Sequence, residues 1–173
     1  MIKSIMNSER GFTLIESVII MVVIAILAAA ILLRGNPFDR IKLDNSAKKI
    51  ASDIRYAQKL AVSAMYNAGV AFNADGYSVY QNVIASTLAN SPGDPCSTDA
   101  NGKFVVDFNQ PRCGEYQNVT LSITNAPGGT VAFTPMGAPI DTAGNPLDTS
   151  ILTVTYNGSR SITINKGTGK VEY

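Results

Sequence analysis

One carboxylate stands where its chemistry is hardest to satisfy. Glu16 is the sole charge in FTLIESVIIMVVIAILAAAILL, the run of about 22 residues from Phe12 to Leu33. As a helix rising 1.5 Å per residue, such a run is long enough to cross a ~30 Å hydrocarbon core. Insertion scales charge about 2.5 to 3.5 kcal/mol for an acid at the centre of a spanning helix, so the carboxylate needs a cationic partner. Thr13, Ile20 and the residues between them are neutral. The partner is therefore expected from another molecule or from a newly created amine. Two simpler readings, a buried core helix and an ordinary secretory signal cut near Ala28, Ala29 and Ala30, give Glu16 no role.

Arg10, Gly11, Phe12, Thr13, Leu14, Ile15 and Glu16 spell RGFTLIE. This resembles the processing signature of type IV prepilins and of the related type II secretion pseudopilins. The resemblance implies that a prepilin peptidase cuts between Gly11 and Phe12 and N-methylates Phe12. Glu16, then fifth in the mature chain, would pair with the Phe12 amine of a neighbouring subunit during assembly. Opposite charges entering an apolar filament core are costly singly and tolerable as a pair. The implied partners are the peptidase, other pilins or pseudopilins, an inner-membrane assembly platform and the lipid bilayer. The resemblance also puts the leader in the cytoplasm and the remainder in the periplasm or outside, incorporated into a pilus or pseudopilus. Charge counting does not decide orientation, because Lys3 and Arg10 precede the span while Arg34, Arg40 and Lys42 follow it.

The elements that position these residues divide the chain into a leader (1–11), a membrane and filament-core helix (12–34), an amphipathic helix (35–68) and an extracytoplasmic β-domain (69–173). Gly35 and Pro37 predict a kink or short break. Leu43, Ala47, Ile50, Ile54, Ala57, Ala61 and Ala64 recur at helical spacing and read as the face that meets the domain core. Period-two runs predict strands at Val70–Phe72, Tyr77–Val83, Phe104–Phe108, Val119–Thr124, Thr130–Thr134, Leu152–Tyr156, Ser161–Asn165 and Lys170–Tyr173. Asn157-Gly158 predicts a hairpin with a two-residue type I′ turn. The fold class is α+β: a long N-terminal helix packed on a C-terminal antiparallel sheet or small sandwich, as in pilins. SDIRYAQKLAVSAMYNAGVAF, VAFTPMG and NGSRSITINKGTGKVEY resemble the GspH/FimT branch of minor pilins and pseudopilins. DNA-binding members of that branch are expected to carry arginines beside the final glycine. Here Gly169 is followed by Lys170, Val171, Glu172 and Tyr173.

Other chemistry is sparse. Fourteen basic residues against thirteen acidic ones leave a net charge of +1, and histidine is absent. No global field draws the chain to nucleic acid, and imidazole bases and zinc ligands are removed together. Arg160, Lys166 and Lys170 form a weak candidate nucleic-acid patch, read more simply as a solvated strand edge, so DNA is not an expected partner. Asp94, Asp99 and Asn101, and again Asp141, Asn145 and Asp148, offer oxygen ligands without a recognised calcium-loop spacing, and read as turn residues. Asn118 and Asn157 match glycosylation acceptors by letters alone. Cys96 and Cys113 bracket a polar stretch: exported, they would form a disulfide contributing about 3 kcal/mol; in the cytosol, they would be buried thiols. No cofactor, metal site or catalytic constellation is expected. The sequence reads as a structural subunit, a minor pseudopilin of type II secretion, with a type IV minor pilin and a DNA-binding pilin for transformation as alternatives.

Overall fold

The computed structural model describes residues 13–32 and 37–173. They form two units, one ending at Pro37 and one running from Phe38 to Tyr173. Gly11 and Phe12 of the expected cleavage step, and Gly35 of the expected break, lie outside the described residues.

In the first unit, α1 spans Leu14–Leu32, 19 residues or about 28 Å of rise. Its start is written in the sequence as T-x-x-E: the Thr13 hydroxyl accepts the Glu16 backbone N–H at 3.3 Å. The Thr13 carbonyl accepts the Ser17 N–H at 3.2 Å.

The second unit is built on α2, Pro37–Ala64. Pro37 opens this helix rather than breaking it. At the first helical position its missing N–H would have had no partner, and its fixed φ suits the helix. Leu43, Ala47, Ile50, Ile54, Ala57 and Ala61 are buried, as their spacing predicts, joined by Ser46 and Ala51. Ser46 is tolerated because its hydroxyl donates to the Lys42 carbonyl at 2.8 Å. Ala64 is only half-buried, since the helix ends there instead of continuing to residue 68.

Ten strands follow in two antiparallel sheets. The first contains β1 (Ala68–Asn73), β2 (Gly76–Asn82), β3 (Thr87–Leu88), β4 (Val105–Asp107), β6 (Thr130–Phe133) and β7 (Pro139–Ile140), ordered β3-β2-β1-β6-β7 with β4 also on β2. The second contains β5 (Thr120–Thr124), β8 (Ser150–Thr155), β9 (Ser159–Ile164) and β10 (Val171–Glu172), ordered β10-β9-β8-β5. All eight expected strands lie within two residues of observed ones. The two additional strands, β3 and β7, are each two residues long, too short to show alternation. One core takes in α2 and both sheets, with Ile50, Ile54, Val70, Phe104, Phe133 and Ile162 fully buried.

The β8–β9 hairpin differs from expectation in its turn. Thr155 pairs with Ser159, leaving Tyr156, Asn157 and Gly158 as a three-residue loop, not a two-residue type I′ turn. This register sets Leu152 opposite Ile162, both fully buried. A shift by one residue would set Leu152 opposite Thr163 and turn one strand's apolar set to solvent.

The segment between β3 and β5 is closed by the Cys96–Cys113 disulfide, which joins a 3₁₀ turn at Pro95–Ser97 to another at Pro111–Tyr116.

After α2, Met65 takes φ +57° with its side chain 72% exposed. This is the helix C-terminal position that glycine ordinarily fills, and a side chain there is strained. Met65→Gly is expected to raise domain stability by about 1 kcal/mol, read as a higher urea midpoint with an unchanged slope.

Candidate functional site

At the start of α1, Glu16 occupies the third helical position and is exposed. There the positive end of the helix favours an anion, while the Thr13 hydroxyl takes up the Glu16 backbone N–H. Sequence reasoning had weighed Glu16 only as a charge seeking an intermolecular partner. The capping signal lay in the same four letters, TLIE. The Glu16 side chain is exposed, and its carboxylate oxygens remain open to a donor.

Beyond Glu16 and Ser17, α1 has no polar side chain, and every described side chain from Thr13 to Ala30 is exposed. A helix apolar on all faces is stable only where something apolar surrounds it. Among the described residues no helix is long and apolar enough to cross a membrane. The run expected to do so, from Phe12 to Leu33, extends past both ends of α1 to residues outside the described set.

Three segments far apart in the chain, those carrying the resemblance to minor pilins, meet at one side chain. Gln58 of α2 donates through Nε2 to the Gly137 carbonyl at 2.8 Å and to the Thr168 carbonyl at 3.2 Å. One helix turn earlier, Arg55 donates to the Val171 carbonyl at 2.9 Å. Gly169 permits the junction: a Cβ there would stand 2.4 Å from the Gly137 oxygen and 2.6 Å from Gln58 Nε2. This arrangement locks the two late loops to the helix and accounts for Gly137 and Gly169 without invoking a ligand.

A second junction holds the disulfide-bridged segment. Lys49 Nζ lies 2.6 Å from Asp94 Oδ2, 3.2 Å from Asp53 Oδ2 and 2.7 Å from Ser97 Oγ. The hydroxyl of the fully buried Tyr77 donates to Asp53. Burial pushes the Asp53 carboxyl above its usual range despite the opposing Lys49 charge. Burial also raises Tyr77 well above a normal phenol, and the Asp53 charge adds to it. For Asp94, burial acts upward but is outweighed by the hydrogen bonds from Lys49 and Ser97, and the net shift is downward. Sequence reasoning found Asp94 only as a loop oxygen and missed Lys49 and Asp53, whose partners come from 24 to 48 residues away.

The remaining candidates are dispersed. Arg160 pairs with Asp44 at 2.7 Å, Lys166 with Asp148 at 3.1 Å and Lys170 with Glu172 at 2.6 Å. The proposed basic patch is thereby neutralised, and Arg160 stands at the opposite end of β9 from the turn that carries the two lysines. Asp99 Oδ1 accepts the N–H groups of Asn101 and Lys103. Asp141 Oδ1 accepts those of Ala143 and Asn145. These are turn-closing bonds, and among the described residues no group of three or more acidic, cysteine or histidine side chains is placed to hold a metal ion.

Comparison with known proteins matches residues 6–32 to the prokaryotic N-terminal methylation motif. The chain is 30% identical over 88 residues to "Competence protein ComGD" of Bacillus subtilis (strain 168), an alignment covering 50% of this chain and 59% of that relative. The chain thus spans somewhat under two thirds of the length of the curated relative it matches. Among solved structures, the type IV minor pilin FimU of Pseudomonas aeruginosa PAO1 aligns at 18% identity with a TM-score of 0.47, covering 77% of this chain and 88% of that one. A second crystal form of FimU aligns at 17% identity and a TM-score of 0.46, covering 75% and 90%.

The charge pairing at Arg160, Lys166 and Lys170 sets an expectation for nucleic acid. Duplex DNA retained on filters at low salt should be equally scant for the wild type and for the triple glutamine variant. Salt-sensitive retention by the wild type alone would restore the patch.

Proposed function

We propose that this type IV pilin-like chain is a minor subunit of a pilus-like filament, with a structural rather than catalytic role. It is cut between Gly11 and Phe12, N-methylated on Phe12, held in the inner membrane through its apolar helix, and drawn from there into the filament. The observation that carries this reading is α1: apolar along its length after the first turn, exposed along its described side chains, and bearing one exposed carboxylate, Glu16, in that first turn. Such a helix can exchange lipid for the apolar helices of neighbouring subunits at little cost in burial, because both surroundings exclude water. The carboxylate supplies the selectivity. Beside a neighbour's Phe12 amine, two charges that are each costly in an apolar core satisfy one another.

Within that role we favour the pseudopilus of a type II secretion system, on the order of one long helix followed only by strands and on the motifs that meet at Gln58. A competence pseudopilus is the second reading, favoured by the similarity to ComGD. Deleting the gene separates them. Exported enzymes retained by the cell would support secretion, whereas normal release with lost transformation would support competence.

Assembly itself is tested by Glu16→Val. The variant should still reach the membrane and still be processed to N-methylated Phe12, seen by mass spectrometry. Sheared filament fractions should contain at least tenfold less of it than of wild type, as expected for a lost charge pair of about 1.4 kcal/mol or more. Undiminished incorporation would sink the pairing.

A further inference from the structure

The junction around Lys49 contains more than an ion pair requires. Asp94 is engaged on both oxygens: Oδ1 accepts the Cys96 backbone N–H at 3.2 Å, and Oδ2 accepts the Ser97 hydroxyl at 2.9 Å in addition to Lys49 Nζ at 2.6 Å. A carboxyl carbon polarised by donors on both sides, with an amine held in contact, is arranged for acyl transfer. On the other side of Nζ, at 3.2 Å, stands a second carboxylate, Asp53, itself held by the Tyr77 hydroxyl. Burial of Asp53 makes it a readier proton acceptor than an ordinary carboxylate. The side chains of Lys49 and Asp53 are only 11% and 13% exposed, while that of Asp94 is 41% exposed. Aromatic rings enclose the group: Tyr77 packs edge-on to Phe108 at 6.0 Å, and Lys49 Nζ lies 5.9 Å from the centre of the Tyr116 ring. The amine side is therefore shielded from water, and the carboxyl side has an outlet.

We propose that Lys49 and Asp94 condense into an intramolecular amide crosslink, with Asp53 relaying the proton. The Lys49 ammonium passes one proton to Asp94 Oδ2, 2.6 Å away, leaving a neutral amine beside a neutral carboxylic acid, and the freed lone pair on Nζ attacks Asp94 Cγ to form the new C–N bond. The displaced electron pair settles on the oxygen held by the Cys96 N–H. Asp53, 3.2 Å from Nζ, takes a second proton from it and returns that proton to the Oδ2 hydroxyl as the C–O bond breaks, and water departs toward solvent. An ammonium and a carboxylate become one neutral amide and one water. Both hydrogens of the water come from the ammonium, so no oxidant, reductant or activated co-reactant is needed. The positive charge is lost from a side chain only 11% exposed, together with the negative charge of its partner, which favours the product.

Such a bond would fasten α2 to the segment that enters the Cys96–Cys113 disulfide, two residues from the cysteine itself. Helix and bridged loop would then be joined covalently, in a subunit whose helical end bears the load of a filament.

The full chain, purified from cells, reduced and digested with trypsin, gives a direct reading. Amide-bonded Lys49 resists cleavage, so the expected product is a branched peptide in which residues 49–55 are joined to residues 60–103, lighter than the two linear peptides by one water. Lys49→Arg keeps the positive charge beside both carboxylates and should give only linear peptides. Asp53→Asn keeps an acceptor for Tyr77 and should give at least tenfold less branched product. Complete recovery of the linear peptide 60–103 from folded wild-type protein overturns the crosslink. A branched peptide undiminished in Asp53→Asn overturns the relay assigned to Asp53.

Discussion

The domain depends on how closely both sheets approach α2. Ala47, Ala51, Ala57 and Ala61 are buried along one face of the helix, and each presents only a methyl group, so strand side chains can rest almost on the helix backbone. Larger residues at Ile50 and Ile54 fill the space between them, at zero and 1% exposure. Dense packing of this kind leaves little room for a substitution of even one methylene without strain. It also sets the scale for everything polar around it, because a helix held this close brings Lys49, Asp53, Arg55 and Gln58 within hydrogen-bonding reach of loops that follow much later in the chain.

Those polar residues divide the work. Gln58 and Arg55 bond backbone carbonyls at Gly137, Thr168 and Val171, so they fix loops by geometry. Lys49 instead gathers two carboxylates and a hydroxyl around one ammonium. A charge that is only 11% exposed is tolerable because every neighbour is an acceptor aimed at it. The disulfide-bridged segment, which has only the short strand β4 within it, is held against the helix by this one side chain together with its core aromatics Phe104 and Phe108, both fully buried.

The first unit follows a different logic. α1 has no amphipathic face, so no part of its surface is marked for one particular neighbour, and its apolar character is satisfied by lipid or by other helices alike. Its single carboxylate, Glu16, stands in the first turn, where the Thr13 hydroxyl caps the helix through the Glu16 backbone N–H. Under the proposed function, stability of the β-domain and commitment to assembly reside in separate parts of the chain. Substitutions in α2 should disturb the fold, whereas substitutions at the start of α1 should leave the domain intact.

Local regularity made much of this legible in the residues themselves. Helical spacing located the buried face of α2, alternation located eight strands, and RGFTLIE lies within the segment that matches the N-terminal methylation motif. The hairpin register was also present, had parity been read along with turn chemistry. Leu152, Val154, Ile162 and Ile164 can share one buried face only across a loop of odd length, and Asn157-Gly158 suggested an even one. What the chain could not disclose by itself was which distant groups meet. Lys49 and Lys166 look alike as solvated charges in sequence, yet one is enclosed between two carboxylates from different elements and the other is exposed in a surface pair. Periodicity is a property of neighbours a few residues apart and can be read one segment at a time. The environment of a charge depends on residues brought beside it from elsewhere, and only the packed tertiary structure determines which those are.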